Sequence, residues 1–493
     1  MMRRCCLYYL WVCIFSIGAI GANACDDSPI IDPDPPATEK PGDTIPPGET
    51  DTTDVPDVSD AIAINILDKN GNFAYKRSIK PVNGIGNGPL FLCSKGLFKI
   101  DESVRFAELG VPLIRYHDVE YINGQNQAIN VSAIFSDFNA DASKESSYDF
   151  GATDQLLESA MALGCRVIFR LGENIKNTGS ATGSNTPPAD FKKWARVAER
   201  IVAHYEDGWS KGFHYKGIMW EVWNEPDHHL CWNASFDRFC DFYKVVYETI
   251  HARHPEADLS PAYPLSVANR RKLYAFIAKH KLGIGHCFSH SYSGDFSAIA
   301  NLAKSWKQEL GDYGLDADVI LNEWNYLSPE GQWTDKEKTY RFVRTQEGAA
   351  WYAKQLFHMQ RADDLAGAVY YVSDMPGYWT GLYEVADWST WQLKKLPAYD
   401  TFKYFGELSR LGYEIETGSL PEYIYVLAAS DKIRVGVLVV NYSATQRSVS
   451  FQVTGLPADE PEILVGDEPY KGNVWYIKVP LQPYEVTLVK VNY

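Results

Sequence analysis

Glu225 and Glu323 are the residues of this chain whose setting best suits them to chemistry. The first stands in Trp220-Glu221-Val222-Trp223-Asn224-Glu225-Pro226-Asp227 and the second in Leu321-Asn322-Glu323-Trp324-Asn325, each a glutamate among aromatics at the end of an apolar run. Paired carboxylates answer what acetal cleavage asks. One delivers a proton to the departing oxygen, and the other meets the oxocarbenium-like carbon with negative charge or as a nucleophile. A charged neighbour and partial burial both favour the protonated acid; esterification of the neighbour removes its charge and turns the spent acid into a base. The chain has 63 acidic residues, so spacing alone would say little, and the strand-end context carries the reading.

Positioning two such groups calls for a scaffold of strands. Gly217-Ile218-Met219-Trp220 and Val319-Ile320-Leu321 read as short buried strands, and from about Pro81 to Gly406 such runs alternate with longer amphipathic stretches. That alternation predicts parallel strands joined by crossover helices, an α/β fold whose length suits a (β/α)₈ TIM barrel, with a Rossmann sheet as the runner-up. Both glutamates then emerge at carboxyl ends of strands, where barrel enzymes hold their chemistry. Gly84-Ile85-Gly86-Asn87-Gly88 lacks the dinucleotide-binding spacing and reads as a turn beside the first barrel strand. From about Leu411 the pattern changes to alternating β segments such as Tyr423–Leu427 and Ile433–Val440, which predicts a C-terminal β-sandwich domain.

The chain of 493 residues opens with Arg3-Arg4 and an apolar stretch, read as a signal peptide over residues 1–24. Ala22-Asn23-Ala24-Cys25 resembles a loose bacterial lipobox, so Cys25 is the expected lipidation site, with cleavage and simple secretion or periplasmic release as the alternative. An outer-membrane or surface location is expected, the membrane being met through the lipid anchor only. Residues 25–60 form an acidic, Pro-rich tether with too little apolar surface to fold. The net charge of −16 and the lack of a basic stripe exclude a nucleic-acid partner. Cys231 and Cys240 are close enough in sequence to suggest a local disulfide. Asp227-His228-His229 presents neighbouring side chains in different directions, so no metal site is expected there.

At the two glutamates the chain resembles a retaining glycoside hydrolase of clan A, most closely family 39, the β-xylosidase and α-L-iduronidase family. The resemblance implies that Glu225 is the acid/base, Glu323 the nucleophile, and Asn224 a partner of the sugar 2-hydroxyl. Leu113-Ile114-Arg115-Tyr116-His117-Asp118 is similar to the strand end whose histidine contacts the sugar, which implies that role for His117. Cys287-Phe288-Ser289-His290-Ser291-Tyr292 resembles the sixth-strand element, so His290 and Tyr292 would steady nucleophile and substrate. In the resembled family an N-terminal segment joins the sandwich, which gives 61–80 for that segment, 81–406 for the barrel and 407–493 for the sandwich.

Departures fall where the sugar would be read: Arg170 and Glu173 end the third strand, Asn322 replaces a usual threonine, and Tyr371 stands where tryptophan is common. Arg170 and Glu173 either reshape the pocket or form a structural ion pair outside it. Tyr116, Trp223, Tyr292, Trp324, Tyr378 and Trp379 fall at expected strand ends, where rings can stack on a pyranose. Trp324 and Trp379 join the expected substrate-binding residues. The expected partner is a carbohydrate, with double displacement needing no cofactor or metal. Insertions around Asn123–Tyr148 and Leu327–Val343 would wall off the cleft and make attack exo. A non-catalytic surface glycan-binding lipoprotein and a transglycosylase using the same glutamates are the alternatives.

Overall fold

The computed structural model describes residues 61–89, 91–94, 98–119, 128–175, 184–329, 336–372, 381–387, 392–456 and 461–492. The signal segment, Cys25, the tether, Tyr378 and Trp379 lie outside the described residues. Among the described residues no helix is long and apolar enough to cross a membrane.

Eight parallel strands make the central sheet: β1 (Gly84–Gly86), β2 (Leu113–Tyr116), β3 (Arg166–Leu171), β4 (Met219–Val222), β5 (Asp258–Pro261), β6 (His286–Tyr292), β7 (Asp318–Asn325) and β8 (Leu365–Tyr370). Their spatial order is β6-β7-β8-β1-β2-β3-β4-β5, the chain order wrapped round on itself. Between β5 and β6 the ladder is replaced by Gly285 N donating to Leu259 O at 3.0 Å and His286 N donating to Ser260 Oγ at 2.8 Å. The sheet is a TIM-like barrel, nearly closed.

The glycine-rich run supplies the first strand itself, correcting the expectation of a turn beside it. A Cβ on Gly84 would lie 2.6 Å from Ala368 O and 2.7 Å from Leu113 O, so glycine lets β8 and β2 close on β1. Around the barrel the helices take their ends from capping residues. Phe191–Asp207 starts where the Asp190 carboxylate accepts from Lys193 N and stops at Gly208, whose φ is 76°. It buries Trp194, Val197, Ile201 and Tyr205 at helical spacing.

Inside the barrel the two-residue period of a strand sets a layered core. Leu113, Ile168, Met219, Phe288, Ile320 and Val369 form one apolar cluster. Two residues further along the same strands stand Arg115, Arg170, Glu221, His290 and Asn322, all buried. The lumen therefore changes from oil to charge in one step towards the carboxyl ends of the strands.

The C-terminal region is a sandwich of a seven-stranded and a three-stranded sheet. Ile62–Asn65 pairs in parallel with Arg447–Thr454, and Tyr75–Ser78 pairs antiparallel with Tyr413–Ile415. The helix Pro397–Leu411 runs through residue 406, so the chain changes domain after Leu411 rather than at the expected boundary. Every residue of the strand Val435–Asn441 is buried. Val435, Val437 and Val439 face the sandwich core, while Leu438 joins the barrel's core on the other face.

Gly84→Ala is expected to cost about 1–3 kcal/mol, the usual range for overpacking, because both close neighbours are backbone oxygens. Thermal denaturation checks it; an unchanged melting temperature would mean that the strands part without strain.

Candidate active site

Arg115 is the hub of the lumen. Its Nε donates to Glu221 Oε2 at 2.7 Å and its Nη2 to Glu221 Oε1 at 3.0 Å and to Asn224 Oδ1 at 2.8 Å. Its Nη1 donates to Glu323 Oε1 at 2.6 Å. Asn322 Nδ2 donates to Glu221 Oε1 at 2.8 Å, so Glu221 is itself held in place. Burial works against the guanidinium charge, yet Glu221 and Glu323 outweigh it and hold the Arg115 pKa above its ordinary value.

Glu323 reaches the lumen by a β-bulge. The β6–β7 register passes from Ser289↔Leu321 to His290↔Glu323, leaving Asn322 as the extra residue. A regular strand that turns Ile320 inward would point Asn322 and Trp324 inward and Glu323 away. The bulge instead brings Asn322 and Glu323 to the same network and sends Trp324 to the helix side. Trp324 is fully buried against Trp351, Tyr352, Tyr370 and Phe402, which corrects its expected role as a sugar platform.

Glu225 stands on the loop after β4. Trp223 and Glu225 have φ of 76° and 34°, conformations that cost a residue with a Cβ about 1–3 kcal/mol each. The loop is held from several sides. Trp223 N donates to Leu171 O at 2.8 Å and its indole Nε1 to Cys231 O at 2.9 Å. The Asp227 carboxylate accepts from Leu265 N, Ser266 N and Asn269 Nδ2 at 2.8, 2.9 and 3.0 Å, tying the loop to the next one.

His290 bridges the two carboxylates, with Nδ1 2.7 Å from Glu225 Oε1 and 3.5 Å from Glu323 Oε2. A carboxylate oxygen of Glu225 and one of Glu323 lie within 4.8 Å of each other. Tyr292 donates its hydroxyl to Glu323 Oε2 at 2.7 Å. Burial opposes ionisation of Glu323, but the charges of His290 and Arg115 and the bonds from Tyr292 and Arg115 outweigh it and hold its pKa below the ordinary value. Burial likewise disfavours a charged His290, and Glu323 and Glu225 overcome it, raising its pKa. Tyr292 is pushed well up, by burial first and by Glu323 next, so it remains a donor.

His117 sits 3.8 Å from Glu323 Oε1 and 3.4 Å from Asp118 Oδ2 through Nε2. Burial, Arg115 and Arg170 hold its pKa well below the ordinary value, so it is a neutral ring. Arg170 Nη2 donates to His117 O, Asn130 Oδ1 and Asn174 Oδ1 at 2.6, 2.9 and 3.1 Å. Glu173 instead accepts from the backbone and hydroxyl of Ser132. Arg170 thus supports the His117 strand end, and Glu173 anchors a neighbouring turn.

The structure brings Glu225, Glu323, His117, Asn224, His290 and Tyr292 together. Two other expected platforms are core residues: Tyr116 donates its hydroxyl to Leu156 O at 2.7 Å, and Trp223 packs on Trp194, Trp232 and Phe242. Sequence reasoning missed Arg115 and Glu221 as site residues, while Tyr371 was met only as a departure from the family's tryptophan. The half-buried Tyr371 places its ring beside His117 and Tyr292, with centroids 6.4 and 6.3 Å away. Arg115 and Glu221 were signalled by charge inside otherwise apolar strands, two residues beyond the barrel core. Cys231 and Cys240 are both free and buried, so the suggested disulfide is absent.

Residues 93–314 match the model of glycosyl hydrolases family 39. This stretch is similar to the family 39 glycosyl hydrolases. The matched stretch includes Glu225, with Glu323 lying beyond its end. A curated β-xylosidase from Geobacillus stearothermophilus is 24% identical over 143 residues, 27% of this chain and 28% of that protein. The match thus spans little more than a quarter of that relative's length. Among solved structures, a glucosidase from Croceicoccus marinus superposes with a TM-score of 0.69 at 17% identity, over 88% of this chain and 99% of that one. A monomeric β-xylosidase from Caulobacter crescentus CB15 gives 0.63 at 14% identity, over 88% and 99%. A family 39 enzyme from Xanthomonas axonopodis pv. citri gives 0.63 at 17%, over 87% and 97%. At these identities the likeness speaks for the fold alone.

Two outcomes follow from the network. Arg115→Met is expected to lower stability by about 3–5 kcal/mol, since it strands buried carboxylates without their partner. Chemical denaturation checks it, and a loss below about 1 kcal/mol would show the guanidinium to be dispensable. His290 has a folded pKa above 6.5, so its stabilisation is fully present below that value and is lost as pH rises through the raised folded value. His290→Gln is therefore expected to cost more stability at about pH 5.5 than at about pH 8.5. Equal costs at both would count against a charged imidazole.

Proposed function

We propose that this protein is a retaining, exo-acting glycosidase that removes a β-xyloside-like sugar through a covalent glycosyl-enzyme intermediate. The observation that carries the reading is the approach of Glu225 and Glu323 to within 4.8 Å. Retaining pairs stand close together, whereas inverting pairs are spread apart to leave room for a water. The electrostatics support the same division of labour. Glu323 is held ionised by Arg115, His290 and Tyr292, as a nucleophile must be, while Glu225 stands on a strained loop at the mouth of the lumen.

In the first step Glu323 attacks the anomeric carbon and Glu225 passes a proton to the departing glycosidic oxygen. In the second, Glu225 takes a proton from water, whose oxygen attacks the same carbon and releases Glu323. Tyr292, whose hydroxyl already meets Glu323 Oε2, can stay with that oxygen while the ester forms. Asn224, pinned by Arg115, and the neutral His117 are placed to meet sugar hydroxyls, and Tyr371 offers a ring beside them. The sugar class is supported by the family match and by the β-xylosidase relative; chain-end attack rests on the two insertions.

Glu225→Gln is expected to lower kcat by about 10²–10⁴-fold on unactivated xylosides and by much less on aryl glycosides with good leaving groups, which need little proton assistance. Intact mass after incubation with an activated 2-fluoro xyloside is expected to show one adduct, mapping to Glu323 and absent from Glu323→Gln. An adduct elsewhere would reassign the nucleophile, and release of internal fragments as first products would remove the exo reading. Export and anchoring through Cys25 are part of the same proposal, supported by the leader and the acidic tether. Cys25→Ser is expected to move the protein from the membrane to the soluble fraction.

A further inference from the structure

The loop that carries Glu225 holds a second cluster. After β4 the chain makes two successive turns, with His228 N donating to Glu225 O at 2.8 Å and Cys231 N to His228 O at 2.9 Å. Residues at i, i+3 and i+6 of such turns fall on one side, so Glu225, His228 and Cys231 converge. Cys231 Sγ lies 3.7 Å from His228 Nδ1, and that nitrogen lies 3.9 Å from Glu225 Oε2. One ligand atom from each of the three lies within 4.8 Å of the others. Asn224 Nδ2 donates to the same sulfur at 3.5 Å.

We infer that Glu225, His228 and Cys231 form a binding site for a zinc-class divalent cation, and that its occupation switches the glycosidase off. The inference rests on the reading of Glu225 as acid/base. Thiolate, imidazole and carboxylate are the donor set that borderline and soft divalent ions select over magnesium or calcium. Bonds of about 2.3 Å to sulfur and about 2.0–2.1 Å to nitrogen in a tetrahedron put ligand atoms roughly 3.3–3.6 Å apart, so the three need only a small closing movement. Cys231 is buried, His228 half-exposed, and Glu225 faces the cleft, which leaves a fourth position open to water.

On binding, the metal–sulfur bond replaces the sulfur–hydrogen bond and the proton leaves to solvent. No electron changes hands. Glu225 Oε1 stays with His290 while Oε2 turns to the ion, so the carboxylate is no longer available to the glycosidic oxygen. Adjacent residues such as Asp227-His228-His229 do not present their side chains to one point. The productive set is the one at three-residue spacing. Asp227 is committed to the neighbouring loop.

The test is a Co²⁺ titration of metal-stripped protein, read by thiolate-to-metal charge-transfer absorption and, in parallel, by hydrolysis of an aryl xyloside. The expected result is one Co²⁺ per chain, turnover falling in step with the band, and recovery on adding a chelator. The band should vanish in Cys231→Ser. Affinity should fall in His228→Gln by more than the ~10–100-fold that loss of an outer partner costs. Melting temperatures of both variants guard against misfolding, and each variant's turnover is compared with and without metal. No band in the wild type, or an unchanged band in Cys231→Ser, overturns the site. A normal band with undiminished turnover overturns the inhibitory role and points to a failure of the acid/base reading of Glu225, because the ion would then occupy a bystander.

Discussion

The guanidinium of Arg115 decides how the lumen of this barrel can be charged at all. Taking an arginine out of water costs several kcal/mol, and so does each carboxylate beside it. The arrangement is tolerable because Glu221 takes two of its bonds, Asn224 one and Glu323 one. Glu221 carries most of the neutralisation. Glu323 is tied by a single oxygen, so its charge is stabilised without being locked in a bidentate pair. Among the described residues its other oxygen meets the hydroxyl of Tyr292 and, more distantly, His290.

That division is built by strand geometry rather than by the order of residues in a motif. The apolar layer of Leu113, Ile168, Met219 and Ile320 fixes which face of each strand looks inward, and the next inward residues are Arg115, Arg170, Glu221 and Asn322. At this layer β7 departs from the period, and its bulge admits one more residue to the network. Without that residue Asn322 would still hold Glu221, but Arg115 would have no second carboxylate and Tyr292 no oxygen to donate to.

The same geometry explains what could be read in the sequence. The barrel was legible from the alternation of apolar runs and amphipathic stretches, and the two glutamates from their place after such runs. Arg115 and Glu221 were also within reach, because a charge inside an apolar strand has to be paired. Trp324 was not. Its facing depends on the register of β7 against β6, a relation between segments that neither segment states alone. Tyr116 and Trp223 misled for a simpler reason: the strand ends that hold a site also abut the helix layer, and a large ring serves either side.

The outward turn of Trp324 gives the C-terminal sandwich a part in holding the nucleophile. Its ring packs on Trp351 and Tyr352 of the helix Gln346–Arg361 and on Phe402 of the helix Pro397–Leu411. Those helices are in turn covered by the seven-stranded sheet. Ala350 and Ala353 meet Val440, and Lys354 Nζ lies 4.6 and 4.4 Å from the ring centres of Tyr425 and Tyr442. The helix-facing side of Val435–Asn441 cannot be left in water, which is why that strand is apolar throughout rather than alternating. Packing therefore runs without a gap from the sandwich, through two helices, to the residue next to Glu323. A bulge is a weak point in a ladder, and here the residue after it is clamped by four aromatic rings. The inward pose of Glu323 is stabilised from outside the barrel as much as by Arg115 within it.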